Sequence, residues 1–299
     1  FACRPSPATP SLQLRHRQLP QGPLIVAYAT RCNEQVLLEA ELGVNVIIWF
    51  ATHLSRDSET GKPRVQGDLD PKCIAAVANT LRKRGLETAH LISIGGWDAP
   101  HPDTDFSGEQ WWQVWQSWNE EVVAQPDLNF PGFDGIDWDL EGNDKMESPW
   151  NHFTPDCMKL VGTMSQAAKR AGFLVTLAPP QSYLDVETSA FALSLTHADA
   201  YHPEFRYHGR NAYALLLARY GLLDGEAARE HTFDFVDIQL YESWSRAHAA
   251  IRGRGASPDS YLQQWMRQLE SGWVVDFAGE PSLGLPAQRV AVEPNRLVV

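Results

Sequence analysis

The chain has 299 residues, of which 43% are hydrophobic and 21% charged, a balance that fits a folded globular protein and excludes wholesale disorder. Thirty-seven acidic against 25 basic residues give a formal net charge of −12, which repels a phosphate backbone and argues against nucleic acid as a partner. No run of about 18 apolar residues is present, so a membrane-spanning helix is not expected.

Residues 1–23 carry Pro5, Pro7, Pro10, Pro20 and Pro23 among polar residues, and that density forbids regular helix or central strand. This segment is expected to be a tail, with one domain over 24–299. From Leu24 onward, short apolar, β-branched runs alternate with longer amphipathic stretches, the pattern of repeated βα units around a parallel sheet. The expected strands are Leu24–Ala29, Asn45–Ala51, His90–Gly95, Gly132–Leu140, Phe173–Ala178, Phe233–Tyr241 and Pro281–Leu285. Helical patterns fall at Ile74–Arg84, Gln110–Ala124, Cys157–Ala171, Asn211–Tyr220 and Ser257–Glu270. Seven such units over this length point to an α/β fold of the (β/α)8 TIM-barrel type. No eighth strand is evident, because Leu297-Val298-Val299 is apolar and β-branched but very short.

The four cysteines, Cys3, Cys32, Cys73 and Cys157, match no metal or redox spacing and leave one or two disulfides or free thiols open. The chain begins at Phe1 rather than Met and shows no apolar signal region, so it reads as a processed or truncated product; it carries no Asn-x-Ser/Thr acceptor, which removes one positive indicator of secretion without excluding it. Its compartment is not written in the sequence, with a secreted or luminal one favoured.

The chemistry concentrates in the fourth expected strand. Residues two apart along a strand share a face about 7 Å from one another, so Asp137, Asp139 and Glu141 point the same way. In a parallel barrel that face is the interior, and the C-terminal strand ends form the active-site floor. Like charges gathered in a partly dry site cannot all ionise, so a proton should be retained near neutral pH, which is what a general acid requires. Interleaving Ile136, Trp138 and Leu140 argues against a solvated acidic loop or a calcium site. Trp138, on the opposite parity, should face the surrounding helices. Trp97 offers a surface on which a sugar ring could stack, and Tyr28 ends the first strand. The group His202, Glu204, His208 and His231 matches no zinc spacing, so no metal is expected.

The segment Asp134-x-x-Asp137-x-Asp139-x-Glu141 resembles the signature of family 18 glycoside hydrolases, matched in full. Ser93-Ile94-Gly95-Gly96 resembles the family's third-strand motif, with Gly95 and Gly96 structural. Gln239-Leu240-Tyr241-Glu242 and Ala178-Pro179-Pro180-Gln181 resemble later motifs of its plant-type class III branch. The resemblance implies hydrolysis of β-1,4-linked N-acetylglucosamine polymers, chitin or chito-oligosaccharides, without cofactor. Glu141 would be general acid and base, and Asp139 would orient the substrate's acetamido group, the internal nucleophile of this substrate-assisted retaining mechanism. Tyr241 would donate to the acetamido oxygen, Asp137 would share a proton with Asp139, and Gln239 would line the floor. Trp97, Tyr28 and Glu242 would touch substrate, while Asp134 would be structural. Glu242 stands where the family has Asn or Asp, and the family's eighth strand, with its Trp floor, has no counterpart. The alternatives are a chitinase-like lectin or structural subunit, favoured by those departures, and an endo-β-N-acetylglucosaminidase acting on glycoproteins.

Overall fold

The computed structural model describes residues 17–197, 208–223, 230–242 and 244–299. Among them ten strands form in order: β1 Val26–Ala29, β2 Val46–Arg56, β3 Pro63–Gly67, β4 Ala89–Gly96, β5 Gly135–Leu140, β6 Leu174–Leu177, β7 Phe235–Asp237, β8 Trp273–Val275, β9 Gln288–Val290 and β10 Leu297–Val298. Seven of them pair in parallel in the order β1-β2-β4-β5-β6-β7-β10, a nearly closed barrel with β1 and β10 at its two ends. The expected (β/α)8-type barrel is therefore present, with seven strands among the described residues.

Two strand expectations change. Pro281–Leu285 is no strand: Pro281–Leu283 forms a 3-10 turn that ends at Gly284 with φ 62°, a left-handed position that suits glycine. The seventh barrel strand is instead β10, whose Leu297 and Val298 pair with Val236 and Asp237. The second strand also runs past Ala51 to Arg56 and folds back as a hairpin on β3, so that its far half leaves the barrel wall.

The helices follow from their caps and spacing. They are α1 Glu34–Glu41, α2 Pro71–Lys83, α3 Gly108–Trp118, α4 Pro155–Arg170, α5 Ala214–Tyr220, the single turn α6 Arg246–His248, and α7 Pro258–Ser271. Asp70 caps α2 by accepting from the Cys73 amide, with Pro71 in the first turn, where its missing N–H costs nothing. Ile74, Val77, Ala78 and Leu81 then recur at helical spacing and are buried. Thr154 and Pro155 start α4 in the same way, and its buried face runs from Cys157 through Leu160, Val161 and Met164 to Ala168. Strand β4 lies between these helices and the interior and is buried at every position, as a parallel strand covered on both faces must be.

Cys32 and Cys73 form a disulfide that ties the segment after β1 to the start of α2, and Cys157 is a buried free thiol. Cys3 lies outside the described residues. Of the tail, residues 17–23 are described: the Arg17 amide donates to the Gly172 carbonyl, and its guanidinium covers the Phe173 ring. No helix of the described residues is long and apolar enough to cross a membrane.

Candidate active site

Strand β5 builds the site. Its neighbours place Ser93 of β4 and Thr176 of β6 opposite Asp137, and Gly95 opposite Asp139. Partners in parallel register share a face, so the acids of β5 meet small residues on the barrel interior. Trp138 points the other way and donates from Nε1 to Ser165 of α4 at 2.8 Å, on the helix side as the strand parity requires.

Close packing between β4 and β5 depends on glycine. Gly95 has φ 116°, and a Cβ there would meet the Asp139 carbonyl oxygen at 2.4 Å. Gly96 has φ 115°, and its Cβ would enter the Phe50 ring at 2.5 Å. Asp134 lies at the opposite end of the strand on the other parity, where its carboxylate accepts from the His90 amide at 2.9 Å.

Asp137 is the deepest acid. Its Oδ1 accepts from Thr176 at 2.6 Å and its Oδ2 from the Tyr28 hydroxyl at 3.1 Å. Burial pushes its pKa up to about 6, against the stabilising effect of those hydrogen bonds on the carboxylate. Asp139 and Glu141 are also buried and hydrogen-bond to one another. Both are raised, Asp139 by burial and then by the charges of Glu141 and Asp137, Glu141 by burial and then by Glu242. Among the described residues neither forms an ion pair, so protons rather than cations neutralise them.

Gln239 knits the centre together. Its Nε2 donates to Asp139 Oδ1 and to the Ala178 carbonyl, both at 2.8 Å, while its Oε1 accepts from the Tyr241 hydroxyl at 2.9 Å. Glu141 is steadied from behind by His101, whose Nε2 donates to the Glu141 carbonyl at 2.9 Å. Burial lowers the His101 pKa to about 4, so the ring is neutral at pH 7 and its one proton sits on the nitrogen facing that carbonyl.

These groups open into a cavity of about 610 Å³. Tyr28, Trp97, Asp139, Glu141, Gln239 and Tyr241 all line it, so six residues singled out in the sequence share one space. Trp97 is 42% exposed and Tyr241 79%, so both present aromatic surface to solvent. Asp137 lies beneath this lining, held by Tyr28. Glu242, expected to touch substrate, is not part of the lining: its two carboxyl oxygens are shielded from solvent and find no side-chain hydrogen-bond partner among the described residues.

Asp237 also lines the cavity and was not singled out in the sequence, although it alternates with Gln239 and Tyr241 at the two-residue spacing of one strand face. Burial and the charge of Asp137 raise it to about 7. Of the histidine group, His208 faces the Asp185 carboxylate at 2.8 Å and His231 lies 3.6 Å from Glu293, while His202 and Glu204 lie outside the described residues. Among the described residues no group of three or more His, Cys, Asp or Glu is arranged to hold a metal ion.

No protein-family model and no curated protein matches the chain. Solved structures similar to it include a Group IV chitinase of Ostrinia furnacalis, at 12% identity and TM-score 0.44, covering 73% of this chain and 51% of that one. A family 18 chitinase of Chromobacterium violaceum has 15% identity and TM-score 0.46 over 85% of this chain and 57% of its own. The chitinase ChiC of Aspergillus fumigatus has 19% identity and TM-score 0.45 over 79% and 74%. This chain thus spans about half of the first of these structures.

Proposed function

We propose that this chain is a family 18 glycoside hydrolase that cleaves β-1,4-linked N-acetylglucosamine polymers by a substrate-assisted, retaining mechanism. The observation that carries the reading is the hydrogen-bonded Asp139–Glu141 pair in the cavity, raised in pKa and unopposed by any cation among the described residues. A buried carboxyl that keeps its proton near neutral pH, next to a second carboxyl that orients it, is suited to general acid catalysis.

In this mechanism Glu141 donates its proton to the glycosidic oxygen as the bond to C1 breaks. The carbonyl oxygen of the substrate's own acetamido group forms the new bond to C1, so no enzymic nucleophile is required. Asp139 turns to the acetamido N–H and offsets the positive charge of the cyclic intermediate. Tyr241 moves its hydroxyl from Gln239 to the acetamido oxygen, and Gln239 keeps Asp139 in place. Glu141, now a carboxylate, takes a proton from water as that water opens the intermediate. Trp97 supplies a flat face for the sugar ring.

Turnover of a fluorogenic chitobioside tests the reading. The unmutated chain should release fluorophore, and Glu141→Gln should lower kcat about 10²- to 10⁴-fold, the usual worth of a positioned acid, with an unchanged circular dichroism spectrum. The shielded Glu242 side chain favours a second reading, glycan binding without turnover, because it occupies the position of an expected substrate contact. Chitin-oligomer binding by an inactive unmutated chain would select that second reading. Neither binding nor turnover would dismiss both.

A further inference from the structure

Asp237 lines the cavity, yet the mechanism above gives it nothing to do. Strand β7 and the residues after it alternate sides. Val236 and Ile238 pack outward into the main core, whereas Phe235 packs inside the barrel with Ile48, Leu91 and Leu174. Asp237 therefore shares the inward face with Phe235 and Gln239. The hydrogen bond from Gln239 to Asp139 sets the levels of the two strands. One two-residue step before Gln239 stands Asp237, and one before Asp139 stands Asp137, so Asp237 lies about 7 Å below Gln239, toward the level of Asp137. The charge of Asp137 acts on Asp237, and that of Asp237 on Tyr28, as expected of a carboxyl on this buried side. Among the described residues the Asp237 carboxyl has no hydrogen bond and no ion pair. Tyr28 cannot supply a donor, because its one hydroxyl proton goes to Asp137.

We propose that Asp237 is a specificity-determining residue that contacts the acyl group of the reacting sugar and selects a hydroxylated acyl group, N-glycolyl, over N-acetyl. The inference rests on the proposed function and names the substrate class of that same site. There Asp139 takes the amide N–H and Tyr241 the carbonyl oxygen. With those two ends held, the remaining substituent of the acyl carbon is the one that turns down toward Asp237. In an N-acetyl sugar that substituent is a methyl group, which shuts water away from the Asp237 carboxyl and offers it no hydrogen bond, a costly state for a buried polar group. A hydroxyl on the same carbon donates to the carboxylate and accepts from the protonated acid. It thus pairs with either form of a group raised to about 7. An acyl chain lengthened by a methyl group instead fills the same space without pairing. A free amine lacks the carbonyl that the reaction requires.

Calorimetric titration of the full chain carrying Glu141→Gln reads binding apart from turnover. The ligands are chitotetraose and its analogues in which every acyl group is N-glycolyl or N-propionyl, the last matching N-glycolyl in size but lacking its hydroxyl. The N-glycolyl ligand should bind about two- to tenfold more tightly than either of the others, the range of one net hydrogen bond. Adding Asp237→Leu should abolish that preference. The comparison among ligands needs no Asp237 variant, so it decides the matter even where Asp237→Leu fails to fold. Equal affinities, tightest binding of chitotetraose, a gain shared by the N-propionyl ligand, or a preference that survives Asp237→Leu would overturn the inference. Chitotetraose that is bound, and turned over by the unmutated chain, without any N-glycolyl preference would overturn it while leaving the proposed function intact. Loss of binding by all three ligands would remove both.

Discussion

The carboxyl oxygens of Glu242 are cut off from solvent and find no side-chain hydrogen-bond partner among the described residues, a costly position for a charge, and burial accordingly raises the group to about 8. Glu242 stands close enough to Glu141 for its charge to be the largest influence on that group after burial. The family resemblance places Asn or Asp at this position, so glutamate adds a titrating neighbour to the proposed acid. A general acid works only while protonated, and activity falls as pH rises through its pKa. Removing the Glu242 charge lowers that pKa, because a nearby anion favours the protonated form. Glu242→Gln is therefore expected to move the alkaline limb of the kcat/KM–pH profile to lower pH, leaving activity on the acidic side of the limb within about threefold. An alkaline limb that stays in place would show that Glu242 does not communicate with Glu141.

At the scale of elements, the β4–β5 pair carries the site, and glycine permits its geometry. Gly95→Ala places a methyl group against the Asp139 carbonyl in a φ region that L side chains rarely adopt. Relief requires β4 and β5 to move apart, which displaces Asp139 along with the strand. We expect about 2–4 kcal/mol of lost stability in urea denaturation, together with loss of turnover. A variant of unchanged stability would mean that the strands separate at no cost. This part of the fold was legible in the sequence, since alternation of acids with Ile136, Trp138 and Leu140 fixes both the strand and its inward face. The helical patterns beginning at Ile74 and Cys157 similarly fell within about three residues of the observed starts of α2 and α4 at Pro71 and Pro155. Elements without periodicity were not legible. A two-residue strand such as β10 offers no pattern, whereas Pro281-Ser282-Leu283-Gly284-Leu285 offers an apolar composition that its proline and left-handed glycine turn into a 3-10 turn. The cysteine spacing did not select the Cys32–Cys73 pairing.

Across the whole molecule, burial of acids governs the response to pH. Asp137 is raised to about 6, Asp237 to about 7 and Glu242 to about 8, and Asp139 and Glu141 are raised with them. The unfolded chain returns each of these groups to the ordinary carboxylate range near 4. Between those limits the folded chain binds more protons than the unfolded one, so stability is present at low pH and declines as pH rises through the folded values. Each such proton contributes a slope of about −1.4 kcal/mol per pH unit. Buried His90 and His101, both lowered to about 4, act in the opposite direction, but only below the ordinary histidine pKa near 6.5, where the unfolded chain takes up their protons. Above that pH the carboxyls act alone, and the thermal midpoint is expected to fall steadily from about pH 6.5 to about 8.5. Asp237→Asn removes one of the protons, with a carboxamide of similar size in its place. Its melting curve should therefore lose part of the slope below about pH 7 while keeping the shallower decline that continues to about pH 8, where Glu242 titrates. A midpoint that stays level or rises over this range in the unmutated chain would mean that the cavity acids are ionised in the folded state, and the proton needed for general acid catalysis by Glu141 would have no source.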